Sequence, residues 1–155
     1  RKEKVLFSEP YLSNSQIIVT MADSDIETKA DLAGKVVATQ QGSAAFDAII
    51  ADETGIAAEF DGGTPILYPT FNDVFNDLES GRSDAIVVDE VLGRYTMKLK
   101  GEEKFAVLTD NFGDEEYGVG LRKEDVALKE AIDATMNDMR EDGAYDEIYA
   151  TWFAE

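Results

Sequence analysis

The chain has no cysteine and no histidine among its 155 residues. Without cysteine there can be no disulfide, no thiolate metal site and no thiol nucleophile. Without histidine the Ser-His-Asp arrangement and the usual zinc-ligand sets are also excluded. Most conventional hydrolytic chemistry goes with them. Basic residues are scarce: 14 Lys and Arg stand against 33 Asp and Glu, a formal net charge of −19. That balance argues against nucleic acid or an anionic membrane surface as a partner. It keeps the protein soluble and would suit a saline habitat, but it names no function. No apolar run approaches the ~20 residues a membrane-spanning helix needs. No basic segment followed by an apolar stretch marks an export signal. What the chain does have is a 44% hydrophobic share, enough to bury the core of one large domain or two small lobes.

The most informative stretch is Lys35-Val36-Val37-Ala38-Thr39-Gln40-Gln41-Gly42-Ser43-Ala44-Ala45-Phe46. A short apolar run, a strand from Lys35 to Ala38, stops at Gln-Gln-Gly-Ser. A helix from Ser43 to Asp52 then begins, with Ala45, Phe46, Ile49 and Ile50 at helical spacing. Gly42 permits a sharp turn and Ser43 is a good N-cap. A strand ending on a helix N-terminus leaves backbone N–H groups and the positive end of the dipole facing a common point, which suits an anion. The turn lacks the lysine and glycine pattern of a nucleotide loop, so a small carboxylate fits better than a polyphosphate. The same features equally describe an ordinary connection whose cap binds only water.

Elsewhere the pattern alternates. Val5-Leu6-Phe7 and Ser15 to Thr20 read as strands, and Lys29 to Ala33 as one helical turn stopped by Gly34. Glu53 to Pro65 reads as a polar connection, with a short strand around Ala57 to Phe60. Thr70 caps a helix with Asp73 three residues on, carrying the stripe Phe71, Val74, Phe75 and Leu78 and ending at Gly81. Ser83 to Asp89 is a buried-looking strand running into a helix from Glu90 to Lys100. Phe105 to Leu108 and Tyr117 to Leu121 are two more strands. Helices Ala127 to Glu141 and Tyr145 to Phe153 close the chain. Strands alternating with helices predict an α/β fold with mainly parallel pairing. Asp110, Asp114, Glu115 and Glu116 read as a solvated acidic loop. The stripes of Ala131, Ile132, Met136 and Met139, and of Tyr145, Tyr149, Trp152 and Phe153, read as core packing.

In an open parallel sheet, ligands bind outside the carboxyl ends of the strands. Gln40 to Ala44 lies at one such end and Asp89 at another. Free N–H groups beside a carboxylate suit a zwitterion, the first holding an α-carboxylate and the second an α-ammonium. Asp89 fits equally well as the N-cap of its own helix.

Several segments occur together in a familiar order: Ser8-Glu9-Pro10-Tyr11, Asp31-Leu32-Ala33-Gly34-Lys35-Val36-Val37, Gln41-Gly42-Ser43, Leu78-Glu79-Ser80-Gly81-Arg82-Ser83-Asp84-Ala85, and Asp142-Gly143-Ala144-Tyr145-Asp146-Glu147-Ile148-Tyr149-Ala150-Thr151-Trp152-Phe153. Over essentially the whole chain they resemble the polar amino-acid-binding proteins of ABC importers, solute-binding protein family 3. The resemblance implies a type II clamshell of the periplasmic-binding-protein kind. Residues 1–19 would be the end of the first lobe and a hinge strand, 20–112 a complete second lobe, and 113–155 the hinge return and the C-terminal helices of the first lobe. The N-terminal part of the first lobe has no counterpart here. On that basis the apolar faces of the last two helices are expected to stay exposed and to favour self-association.

Position by position, the resemblance implies that Arg1 pairs with the ligand carboxylate, a task its guanidinium fork suits. Gln40 would line the pocket. Ser43 and Ala44 would bind the carboxylate through hydroxyl and backbone N–H, although Ala44 replaces the threonine often found there. Asp89 would receive the α-ammonium. The implied function is extracytoplasmic, periplasmic or cell-surface binding of a polar amino acid for delivery to the membrane subunits of an ABC transporter, without enzymatic activity or cofactor. Two other roles share the fold: a ligand-sensing domain of a membrane signalling protein, and an enzyme resembling cyclohexadienyl dehydratase.

Overall fold

The computed structural model describes residues 4–153. The chain divides into two compact units, residues 14–115 and a second unit formed by 1–13 with 116–155.

The larger unit is built on a five-stranded sheet in the order β4-β3-β5-β2-β6. Its strands are β2 (Leu12–Met21), β3 (Val37–Gln40), β4 (Ile66–Tyr68), β5 (Ala85–Asp89) and β6 (Phe105–Tyr117), where β2 and β6 also run on into the other unit. Its helices are α1 (Ala44–Ala51), α2 (Phe71–Glu79) and α3 (Glu90–Lys100). β3 pairs parallel with both β4 and β5, while β2 pairs antiparallel with β5. The sheet is therefore mixed rather than mainly parallel. Helical crossovers through α1 and α2 impose parallel pairing on β3, β4 and β5, whereas β2 precedes the first of these helices and escapes that constraint.

Strand alternation divides the core into two layers. Ile18, Val37, Ala85 and Val87 pack on one face with Ala45 and Ile49 of α1. Ile17, Val19, Ala38, Ile86 and Val88 pack on the other with Val74, Phe75 and Leu78 of α2 and Met97 of α3. The period-2 runs in β2 and β5 thus bury both faces, which is why neither strand shows a polar side over its central residues.

Two local expectations are corrected. The segment expected as a strand around Ala57 to Phe60 is a 3-10 turn, Ile56–Glu59, entered through Gly55 at φ +70°. A strand instead forms just beyond it, at Ile66–Tyr68. The acidic residues Asp110, Asp114, Glu115 and Glu116 lie not in a loop but within β6. There the Asp110 carboxylate accepts from the Lys29 N–H at 2.8 Å and Asp114 from the Ser15 hydroxyl at 3.1 Å. Pairing with β2 lets a charged sequence remain extended.

In the smaller unit, β1 (Leu6–Phe7) pairs antiparallel with β7 (Gly120–Leu121), accompanied by α4 (Val126–Glu141) and α5 (Ala144–Phe153). The Tyr145 hydroxyl donates to the Tyr11 carbonyl at 2.6 Å. The apolar stripes of the two helices are not core: α4 has no buried residue, and Trp152 is 70% exposed. A two-stranded ribbon is too small to cover two amphipathic helices. No helix among the described residues is long and apolar enough to cross a membrane.

Candidate functional site

Three parallel strands end at one edge of the larger unit, and each feeds a helix there. Gln40 pairs with Tyr68, which brings the ends of β3 and β4 level. β3 and β5 run in register from Val37↔Ala85 and Ala38↔Ile86, so the same register sets Gln40 beside Val88, one residue before Asp89. From this edge β3 passes into α1 on one face of the sheet, and β5 into α3 on the other. Neighbouring parallel strands whose helices depart to opposite faces open a crevice at their carboxyl ends, the topological switch point at which α/β sheets take ligands.

One wall is the turn from β3 to α1. Gly42 sits at φ +67°, a conformation costly for any residue with a Cβ. The Ser43 hydroxyl accepts from the Phe46 N–H at 3.1 Å and donates to the Gln40 carbonyl at 2.8 Å. Ser43 is therefore the cap that the sequence predicts. The N–H groups of Ala44 and Ala45 open the helix and have no intrahelical acceptor. The Gln40 carboxamide is directed sideways, donating to the Pro69 carbonyl at 2.9 Å. Thr70 caps α2 beside it, accepting from the Asp73 N–H at 3.2 Å.

Asp89 forms the other wall. It does cap its own helix, with Oδ1 accepting from the Leu92 N–H at 2.9 Å. Its Oδ2 accepts from the Asn14 carboxamide at 2.7 Å. The same Asn14 nitrogen donates to Glu115 Oε1 at 2.6 Å, and Gln16 Nε2 reaches that oxygen at 2.5 Å. Two carboxylates thus share one carboxamide, while the Asn14 carbonyl accepts from the Val91 N–H at 3.3 Å. Helix amides supply donors on one side and carboxylates supply negative charge on the other, an arrangement complementary to a small zwitterion. Tyr68 belongs to the scaffold. Its phenol is held above its ordinary value, chiefly by the neighbouring Asp77 carboxylate, with burial adding to the effect.

Of the residues singled out by sequence, Gln40, Ser43, Ala44 and Asp89 come together at this edge, and Arg1 lies outside the described residues. Asn14, Gln16 and Glu115 were not anticipated. A signal existed for the first two: carboxamides two residues apart share one face of a strand that runs on into the apolar Ile17-Ile18-Val19. Nothing local linked them to Asp89, which lies 75 residues from Asn14. No group of three or more acidic side chains among the described residues is placed to hold a metal ion.

Comparison with known proteins places this architecture. The chain is 29% identical to the ABC transporter glutamine-binding protein GlnH of Bacillus subtilis, over 100% of this chain and 54% of that protein. It is 31% identical to the lysine/arginine/ornithine-binding periplasmic protein of Escherichia coli, over 99% of this chain and 60% of that one. It therefore spans between about half and three-fifths of the length of these curated relatives. Among solved structures, a substrate-binding protein of an ABC uptake transporter from Streptococcus pneumoniae, with bound histidine, superposes with a TM-score of 0.89 at 33% identity, covering 100% of this chain and 63% of that one. The fold is α/β, of the type II periplasmic-binding-protein class. The family model for bacterial extracellular solute-binding proteins, family 3, matches residues 1–155, and the chain belongs to that family.

Proposed function

We propose that the crevice between β3 and β5 binds a polar amino acid outside the cytoplasm, for delivery to the membrane subunits of an ABC transporter. The observation that carries this reading is the switch point itself, with the first-turn amides of α1 on one side and the Asp89 carboxylate on the other. The α-carboxylate would be met by Ser43 and the Ala44 N–H, and the α-ammonium by Asp89, with Gln40 bordering the pocket. The relatives support the ligand class: those compared above are named for binding glutamine, for binding lysine, arginine and ornithine, and for a structure holding histidine. Related proteins of this kind are binding proteins.

A thermal-shift screen of the twenty amino acids on the full-length protein, followed by calorimetry, tests the reading. A polar amino acid should raise the melting temperature, and Asp89→Asn should weaken its binding by more than ~1 kcal/mol through loss of a charge-assisted hydrogen bond. No stabilisation by any amino acid, or unchanged affinity in Asp89→Asn, would refute it.

A further inference from the structure

The larger unit begins at Asn14 and ends at Glu115, so the chain enters and leaves it at these two residues. Both are tied to the candidate site. The Asn14 carboxamide donates one hydrogen bond to Asp89 Oδ2 at 2.7 Å and another to Glu115 Oε1 at 2.6 Å. Its carbonyl accepts from Val91, in the first turn of α3, at 3.3 Å. Asn14 is only 3% exposed, and a planar carboxamide holding three partners has little rotational freedom. Gln16, 2% exposed, braces the same Glu115 oxygen from the next position on that face of β2. The backbone register fixes the arrangement further, because Gln16 pairs directly with Asp89 across β2 and β5.

We propose that Asn14 is a positioning residue. It aims the Asp89 carboxylate and the first turn of α3, and through Glu115 it makes that aim depend on the two strands by which the chain enters and leaves the unit. A change of backbone direction at β2 or β6 then moves Asn14, and with it Asp89. By linkage, a ligand held on Asp89 biases those strands by the same free energy. This rests on the reading of Asp89 as the ammonium acceptor.

The test uses the full-length protein with L-arginine, L-glutamine and L-histidine as probes. Asn14→Ala should weaken whichever probe the unaltered protein binds by about tenfold, the worth of one good hydrogen bond. In the unliganded variant, hydrogen exchange at the Val91 amide should accelerate about tenfold. Glu115→Gln should weaken binding about threefold alone, yet add nothing in the Asn14→Ala background, because its influence runs through the carboxamide. A plain charge effect would persist in both backgrounds, so additive losses overturn the proposal, as does wild-type affinity in Asn14→Ala. A measurement on the unaltered protein needs no variant: the Asn14 side-chain NH2 resonances should shift when a probe binds, and unmoved resonances count against the proposal. If the unaltered protein binds neither these probes nor any other of the twenty amino acids, the reading of the site has failed. The Val91 exchange rate still decides the positioning role, and an unchanged rate in Asn14→Ala overturns it.

Discussion

Arg82 Nε lies 2.6 Å from Asp77 Oδ1, and the Asp77 side chain is completely buried. Burial raises the carboxyl, but the neighbouring Tyr68 hydroxyl and the hydrogen bond from Arg82 outweigh it and hold Asp77 below the usual carboxylate range. A depressed folded-state value means that ionised Asp77 adds stability in full above its unfolded value of about 4, and that the contribution is lost as pH falls through the folded value. Asp77→Asn should therefore cost about 2 kcal/mol at pH 7. In urea titrations the gap between wild type and variant should narrow on acidification below about pH 4. A gap that stays constant into acid would show that the charge on Asp77 does not matter.

The turn from β3 to α1 makes a second, local prediction. Ser43→Ala removes the cap from the Phe46 N–H and should cost about 1 kcal/mol, while Ser43→Gly should cost only a few tenths. Gly42→Ala forces a Cβ into the left-handed region at φ +67° and should cost about 1 kcal/mol although the added methyl meets nothing. Urea midpoints for the three variants decide the order. Equal losses for Ser43→Ala and Ser43→Gly would mean that the cap is not what matters.

These local features are also the ones that the sequence displays. The helix Glu90–Lys100 runs between the residues that sequence reading assigns, because Asp89 caps it and Gly101 follows it. Thr70 and Gly81 bracket α2 in the same way, with Thr70 its cap and Gly81 just past its end at φ +71°. Caps and turns are short-range chemistry. What escapes is settled by pairing. β4 is only three residues long with exposed Ile66 and Leu67, and it exists because β3 offers an edge. β6 stays extended through Asp110, Asp114, Glu115 and Glu116 because β2 lies beside it. At the candidate site the division is the same. Gln40, Ser43, Ala44 and Asp89 are marked by strand–helix junctions visible in a dozen residues. The Asn14 bridge reaches Asp89, 75 positions away, and Glu115, 101 positions away, and only the place of β2 between β5 and β6 brings the three together.

Close packing beneath α3 gives a third prediction. A Cβ added at Gly93 would lie 3.0 Å from Val88 Cγ1 and 3.3 Å from Ile17 Cδ1. Val88 is fully buried and Ile17 is 4% exposed, so neither side chain has room to withdraw. Alanine gains about 1 kcal/mol of helix propensity over glycine, but overpacking a filled core costs about 1–3 kcal/mol. Gly93→Ala should come out destabilised by about 1 kcal/mol, and Gly93→Val by more than about 2 kcal/mol. A more stable Gly93→Ala would show that the sheet yields to α3 freely.

Lys29 secures the end of α1 from a distance. Its ammonium lies 2.6 Å from Asp52 Oδ2, donates to the Asn111 carbonyl at 3.2 Å, and stands 5.0 Å from the centre of the Phe112 ring. Asp52 is raised by burial, yet the hydrogen bonds from Lys29 and Thr54 prevail and keep its carboxyl below the ordinary range. With only 9% of the Asp52 side chain and 23% of Lys29 exposed, bulk salt screens the pair weakly. Removing one partner strands the other. Lys29→Met should therefore cost about 2 kcal/mol, more than the double variant Lys29→Met/Asp52→Asn loses relative to Asp52→Asn alone. The coupling from that cycle should be about 1–2 kcal/mol and should change little between 0.1 and 1 M salt, roughly the span over which an exposed pair fades. Urea unfolding of the four proteins at both salt concentrations measures it. A coupling that vanishes at high salt would make Lys29–Asp52 an ordinary surface contact, leaving the end of α1 to be held by its apolar face alone.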